Sequence, residues 1–346
     1  MTMTVPGPSP RQFRVNSWFP LLWCSVIIIF FFSVLGEFFG ESQDWQNYVN
    51  LFDALRASGI SVEGTAERVE IGFKLLAFSL VALSLSNLLI YALISALSLL
   101  FKFIAINSFT NKRYVFIVAI GYYLVCTAPL HELTQIRAAL AISMLFLSYV
   151  LLMRGFLVVS LLAALLSVFC HISAVSTLPL LIAVALFEKN AVEITRARIG
   201  ILALCAYLAL AAVISALLSS LDDALLVVEA YLEEGFGDES VNPLSATILL
   251  NIAISAVAWL RWFSLSANMK YVLFFELLGL AVFYATIDFP VIALRLYEFF
   301  QAFWVLFVVE GLDSRDWLIR FGTWIFTLLS IAGYGYIYFL SGTFFL

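Results

Sequence analysis

Charge is what this chain has least of: Asp, Glu, Lys and Arg make up 12% of its 346 residues, against 64% hydrophobic residues. A soluble domain carries about 25% charge, so the composition excludes one and indicates a polytopic membrane protein. Alternation at period two is also missing, which excludes a membrane β-barrel; near-continuous runs of Leu, Ala, Ile, Val and Phe recur instead, as transmembrane helices require. Cysteine is sparse. Cys24, Cys126, Cys170 and Cys205 fall inside or beside apolar stretches without a C-x-x-C pair, which argues against a disulfide or zinc site. Neither G-x-G-x-x-G nor G-x-x-x-x-G-K-[ST] occurs, so no nucleotide cradle, cofactor or nucleic-acid partner is expected. Tight D-x-D acidic clusters are absent from the expected external loops, and no metal is expected either.

Apolar windows long enough to cross a bilayer lie near 18–36, 88–106, 114–130, 136–153, 156–187, 199–219, 247–264, 271–310 and 317–341. The windows at 156–187 and 271–310 are too long for one helix and are expected to turn at Cys170-His171 and at Asp288-Phe289-Pro290. The fold class predicted is therefore all-α: a single integral membrane domain over 1–346, a transmembrane helical bundle of about eleven spans at roughly 17 to 25 residues each. Arg11 and Arg14 precede the first span in a retained cytosolic tail, 1–16. The positive-inside rule puts them, with Lys102, Lys112, Arg113, Arg154, Lys189, Arg196, Arg198, Arg261, Lys270, Arg315 and Arg320, on the cytosolic side.

Counting Ile71–Ser86 as a further span would invert everything downstream. It is read as a short re-entrant or interfacial helix within an external segment at 37–87, consistent with its length and its Lys74. An acidic loop at 221–246 carries Asp222, Asp223, Glu229, Glu233, Glu234, Asp238 and Glu239 without Lys or Arg, and faces outward as a lid or as a solvated loop.

On this topology the least lipid-compatible residues gather on the outer side. They are Asp44 and Tyr48, Glu70, the turn from His131 to Gln135 with Arg137 after it, His171, and Arg295 with Tyr297. An ionisable group at a helix centre costs about 2.5 to 3.5 kcal/mol on insertion scales and is seldom retained without a use. Structural uses remain open for each: interfacial snorkelling for the arginines, a helix-end contact for His171, an N-cap for Asp44 and a first-turn carboxylate for Glu70. As chemistry, two guanidinium groups suit a diphosphate leaving group, and a histidine or carboxylate beside them suits removal of a proton from an attacking hydroxyl.

The ordered set Asp44-x-x-x-Tyr48, Glu70-x-Gly72-Phe73, Gln135-x-Arg137 with Ala139-Leu140-Ala141, His171-x-Ser173-Ala174 and Arg295-x-Tyr297 resembles the EpsG branch of the Wzy-type polysaccharide polymerases. The resemblance spans about residues 20 to 310; members often read Arg-Gln where this chain has Arg137-Ala138. It implies a bacterial inner-membrane enzyme of GT-C-like architecture. Such an enzyme joins undecaprenyl-diphosphate-linked repeat units at the periplasmic face, among membrane lipids and beside a flippase and a chain-length regulator. It further implies Arg137 and Arg295 on the donor diphosphate, His171 as the base with Asp44 and Glu70 as other candidates, and Tyr48, Gln135, Tyr297 and His131 binding substrate. Direct attack would invert the anomeric configuration. An O-antigen ligase would want the same groups and differs in its acceptor; a transporter would instead show charges at both faces and paired repeats.

Overall fold

The computed structural model describes residues 43–60, 69–189, 242–287 and 289–340, and every regular element among them is helical. In chain order the α-helices are α1 (Gln43–Ser58), α2 (Ile71–Ala82), α3 (Asn87–Phe109), α4 (Arg113–Cys126), α5 (Ala128–Leu133), α6 (Ile136–Met153), α7 (Leu157–Cys170), α8 (Leu178–Lys189), α9 (Ala246–Leu260), α10 (Ala267–Ala285), α11 (Pro290–Gln301), α12 (Trp304–Leu312) and α13 (Trp317–Gly335). Among the described residues, five stretches are long and apolar enough to cross a membrane: Asn87–Phe109, Ile136–Met153, Ala267–Ala285, Ile292–Leu312 and Trp317–Tyr338. The expected tail at 1–16, the spans at 18–36 and 199–219, Asp288, and the acidic loop up to residue 241 lie outside the described residues.

The breaks follow local chemistry. Helix α7 stops at Cys170, and His171 takes an extended conformation (φ −158°, ψ 121°) before a 3₁₀ turn at Ile172–Thr177. Helix α11 starts with Pro290 in its first turn, where the missing N–H has no helical partner to lose. A further break separates α4 from α5, because Pro129 removes a donor and its ring crowds the preceding turn. Helix α2 has 12 residues, so it is about 18 Å long against a hydrocarbon layer of about 30 Å. It ends at Ala82 rather than Ser86; Ser84 adopts a left-handed φ of 58°, and Ser86 becomes the N-cap of α3 by accepting from Leu89 N–H at 3.3 Å.

The chain divides into two compact units, one built from residues up to Asn111 with Thr134–His171, the other from Lys112–Leu133 with Ile172 onward. In the first, α6 packs on α3 and α7. A reciprocal serine pair ties α6 to α7: Ser148 Oγ donates to the Ser160 carbonyl at 2.9 Å and Ser160 Oγ to that of Ser148 at 2.8 Å. Such small, hydrogen-bonded residues let apolar helices approach closely where lipid offers no hydrophobic drive. Lys102, read from sequence as a cytosolic charge, is fully buried on α3.

In the second unit Ile248, Leu280, Phe283, Ala293 and Tyr297 form one apolar cluster between α9, α10 and α11. Glu276 on α10 is buried and faces α11 rather than the basic residues Lys270 and Arg261. Tyr297 donates to it at 2.6 Å, Lys270 lies over the Trp262 ring, and Arg261 Nε donates to Asp316 at 2.9 Å. Asp316 also caps α13, accepting from the Leu318 and Ile319 N–H groups. The Arg261 guanidinium, aided by those amides, lowers the Asp316 carboxyl to about 2.

A depressed carboxyl contributes stability that is present above its ordinary titration range and lost as pH falls through the folded value. The melting-temperature gap between wild type and Asp316→Asn should therefore narrow as pH drops from about 5 to about 2. A gap that stays constant across that range would contradict the Arg261 pairing.

Candidate functional site

The first unit brings four of the residues singled out from sequence into one cluster. Glu70 precedes α2 in the N-cap position, but its side chain makes no cap contact. It turns instead toward α6 and the end of α7: Arg137 Nη1 donates to Glu70 Oε2 at 3.0 Å, and His171 Nδ1 lies 2.9 Å from Glu70 Oε1. One carboxylate thus holds a guanidinium and an imidazole at once. Against a carboxylate oxygen Nδ1 is the nitrogen placed to donate, and in a neutral ring that arrangement leaves Nε2 as the proton acceptor.

Tyr48 completes the cluster from α1. It is 6% exposed, its hydroxyl accepts from the Arg137 backbone N–H at 3.4 Å, and its ring lies 6.0 Å from the Arg137 guanidinium carbon. Phe73 from α2 and Tyr91 from α3 pack on that ring at 5.9 and 5.8 Å between centroids. Burial raises the Tyr48 phenol above its ordinary range, with Arg137 opposing and Asp44 reinforcing, so Tyr48 is a neutral hydroxyl at physiological pH. Asp44 lies in the first turn of α1, where a carboxylate suits the helix dipole. Gln135 holds the N-cap position of α6, and its carbonyl accepts from Ala139 at 2.9 Å.

Arg137 is the second residue of α6, so its cationic side chain stands at the positive end of the helix dipole. The combination of that dipole end and a partly buried guanidinium favours an anion, and Glu70 supplies the negative charge.

The remaining three residues belong to the second unit. Arg295 is half-buried on α11, one turn before Glu298. Tyr297 is buried and accepts from Asn251 Nδ2 at 2.7 Å while donating to Glu276. His131 sits in the last turn of α5, 2% exposed, with Nε2 3.8 Å from Glu298 Oε2. Its neighbour Glu132 accepts from the Tyr123 hydroxyl at 2.8 and 2.9 Å. Among the described residues, no group of three or more His, Cys, Asp or Glu side chains is placed to share a metal ion.

The model of the EpsG family matches residues 21–344. The chain belongs to the EpsG family. It is a membrane protein of the polysaccharide-polymerase type. No curated protein and no solved structure matches the chain.

In this EpsG-family chain the sequence reading quoted Phe73 in a motif without its contact on the Tyr48 ring, and missed Tyr91 beside it and, in the other unit, Asn251, Glu298 and Tyr123. Asn251 and Glu298 carried a signal, being polar side chains inside apolar runs. The aromatic packing carried none.

Removing Glu70 strands a partly buried guanidinium. Glu70→Ala should lower the unfolding free energy of the purified EpsG-family protein by about 1 to 3 kcal/mol, with Glu70→Gln milder because its amide oxygen still accepts. Equal melting temperatures for wild type and Glu70→Ala would show that the carboxylate does not hold Arg137.

Proposed function

We propose that the protein polymerises undecaprenyl-diphosphate-linked oligosaccharide repeat units at the periplasmic face of the bacterial inner membrane. The bundle has about eleven crossings in a GT-C-like arrangement with a cytosolic N-terminus. One observation carries the reading: the Glu70 carboxylate engages both Arg137 and His171, so a group able to stabilise a departing phosphate and a group able to take a proton stand beside each other.

In the reaction, a terminal sugar hydroxyl of the lipid-linked repeat unit attacks the anomeric carbon of the growing glycan. The new glycosidic C–O bond forms as the bond from that carbon to the diphosphate breaks. His171 Nε2 takes the hydroxyl proton, a role that contributes typically a hundred- to ten-thousand-fold. Arg137 accepts the charge gathering on the leaving diphosphate, and a guanidinium suits this because its fork matches two phosphate oxygens. Glu70 keeps the imidazole in the tautomer that can act as base, as carboxylates do for catalytic histidines elsewhere. Arg295 is assigned to phosphate contact on its chemistry, and Asp44, Tyr48 and Gln135 to sugar hydroxyls; Tyr297, buried with its hydroxyl held between Asn251 and Glu276, and His131, 2% exposed, are left to the packing of their own unit. Single displacement inverts the anomeric configuration, and no metal is needed where guanidinium groups carry the phosphate charge.

The test is polymer formation by purified protein from a synthetic lipid-diphosphate repeat unit, with and without chelator. Arg137→Ala, Arg295→Ala and His171→Ala should each lose at least about a hundredfold in rate, and chelator should have no effect. Wild-type rates in all three variants, or a new linkage that retains configuration, would contradict the assignment.

A further inference from the structure

We infer that Gly72 is a positioning residue for His171, because its bare backbone allows α2 to meet the end of α7 closely enough for Glu70 to hold the imidazole. The inference rests on the reading of His171 as the base, and it adds a residue outside the polar cluster.

The argument is steric. A Cβ built on Gly72 would lie 2.7 Å from the Phe169 carbonyl oxygen, 2.8 Å from Phe169 Cβ and 2.9 Å from its carbonyl carbon. Two of these three atoms are main chain, so no side-chain rotation relieves the clash. Phe169 lies in the last turn of α7, two residues before His171, and Gly72 lies two residues after Glu70. The helices therefore touch at the point flanked by the two groups that must pair. To bring the new Cβ from 2.7 Å to the 3.4 Å of ordinary contact, the backbones must separate by 3.4 − 2.7 = 0.7 Å. Carried to the adjacent contact, that shift stretches the 2.9 Å Glu70–His171 bond to about 3.6 Å, beyond hydrogen-bond range. Glu70 cannot simply follow His171, because its other oxygen is engaged by Arg137 at 3.0 Å.

The consequence is a change at the ring. Released from the carboxylate, the imidazole loses the constraint that puts its proton on Nδ1 and takes up the Nε2–H tautomer that neutral histidine favours in water. Polymerisation slows because the nitrogen directed at the acceptor no longer accepts a proton, and misplacement of this size costs about a hundredfold.

The experiment uses the whole purified protein in detergent with ¹⁵N-labelled histidine. The chain contains two histidines, so His171 is identified against His131, which serves as the internal reference for an intact second unit. In Gly72→Ala the His171 ring signals should move from the Nδ1–H toward the Nε2–H pattern while those of His131 stay in place. The polymerisation rate should fall about a hundredfold. Gly121→Ala is the control, since a Cβ there meets nothing within 4 Å, and it should leave both ring signals and rate as in wild type. In Glu70→Gln the single amide oxygen stays with Arg137 and the NH2 group faces His171 Nδ1, so the ring change should appear with the helix contact intact, which still allows the inference to fail should Gly72→Ala not fold. Unchanged His171 signals in either folded variant overturn the inference. Changed signals with an unaltered rate support the positioning contact and reject His171 as the base.

Discussion

The Glu70 carboxylate is shared between the Arg137 guanidinium and the His171 imidazole, and the candidate site depends on that sharing. Each contact is charge-assisted, of a kind worth about 1.5 to 3 kcal/mol when removed. Three segments separated by 67 and 101 residues are joined at one point as a result. Without the carboxylate, a guanidinium would be left at the positive end of its own helix dipole, partly desolvated and uncompensated.

Around this point the packing is aromatic and close. Tyr48 supplies both a ring face to the guanidinium and an oxygen to the Arg137 backbone N–H, so it fixes the start of α6 relative to α1. Phe73 and Tyr91 hold the Tyr48 ring from α2 and α3. The cluster is consequently braced by helices rather than carried on loops, which suits chemistry that requires two groups at a fixed separation. The second unit has its own buried network, where Asn251, Tyr297 and Glu276 form a chain of hydrogen bonds among α9, α10 and α11. Gly279 lets Phe300 and Tyr297 approach α10 there, with a built Cβ meeting Tyr297 Cδ2 at 3.2 Å.

Much of this was legible in the residues themselves. An arginine, a histidine and a glutamate next to apolar runs stand out because lipid penalises them, and the helix break at His171 and the start at Pro290 follow from local rules. Pairing was not legible. Glu70 read as a first-turn carboxylate or a base, whereas its partners lie far along the chain and only the folded backbone brings them near. Arg261, read as one of the cytosolic charges, reaches Asp316, 55 residues away. Lys102 looked like a charge for a membrane surface, yet helix packing encloses it. Gly72 appeared only as a letter in a motif, since the clash that gives it meaning is with a backbone carbonyl of another helix.

If Glu70 works through His171 rather than on the substrate, the two side chains form one functional unit, and their losses do not multiply. The most direct measurement is a kinetic double-mutant cycle on the purified protein with a lipid-diphosphate repeat unit, comparing Glu70→Gln, His171→Ala and the double variant. The account predicts a double variant no slower than His171→Ala alone. A double variant slowed by the product of the two single losses would contradict it.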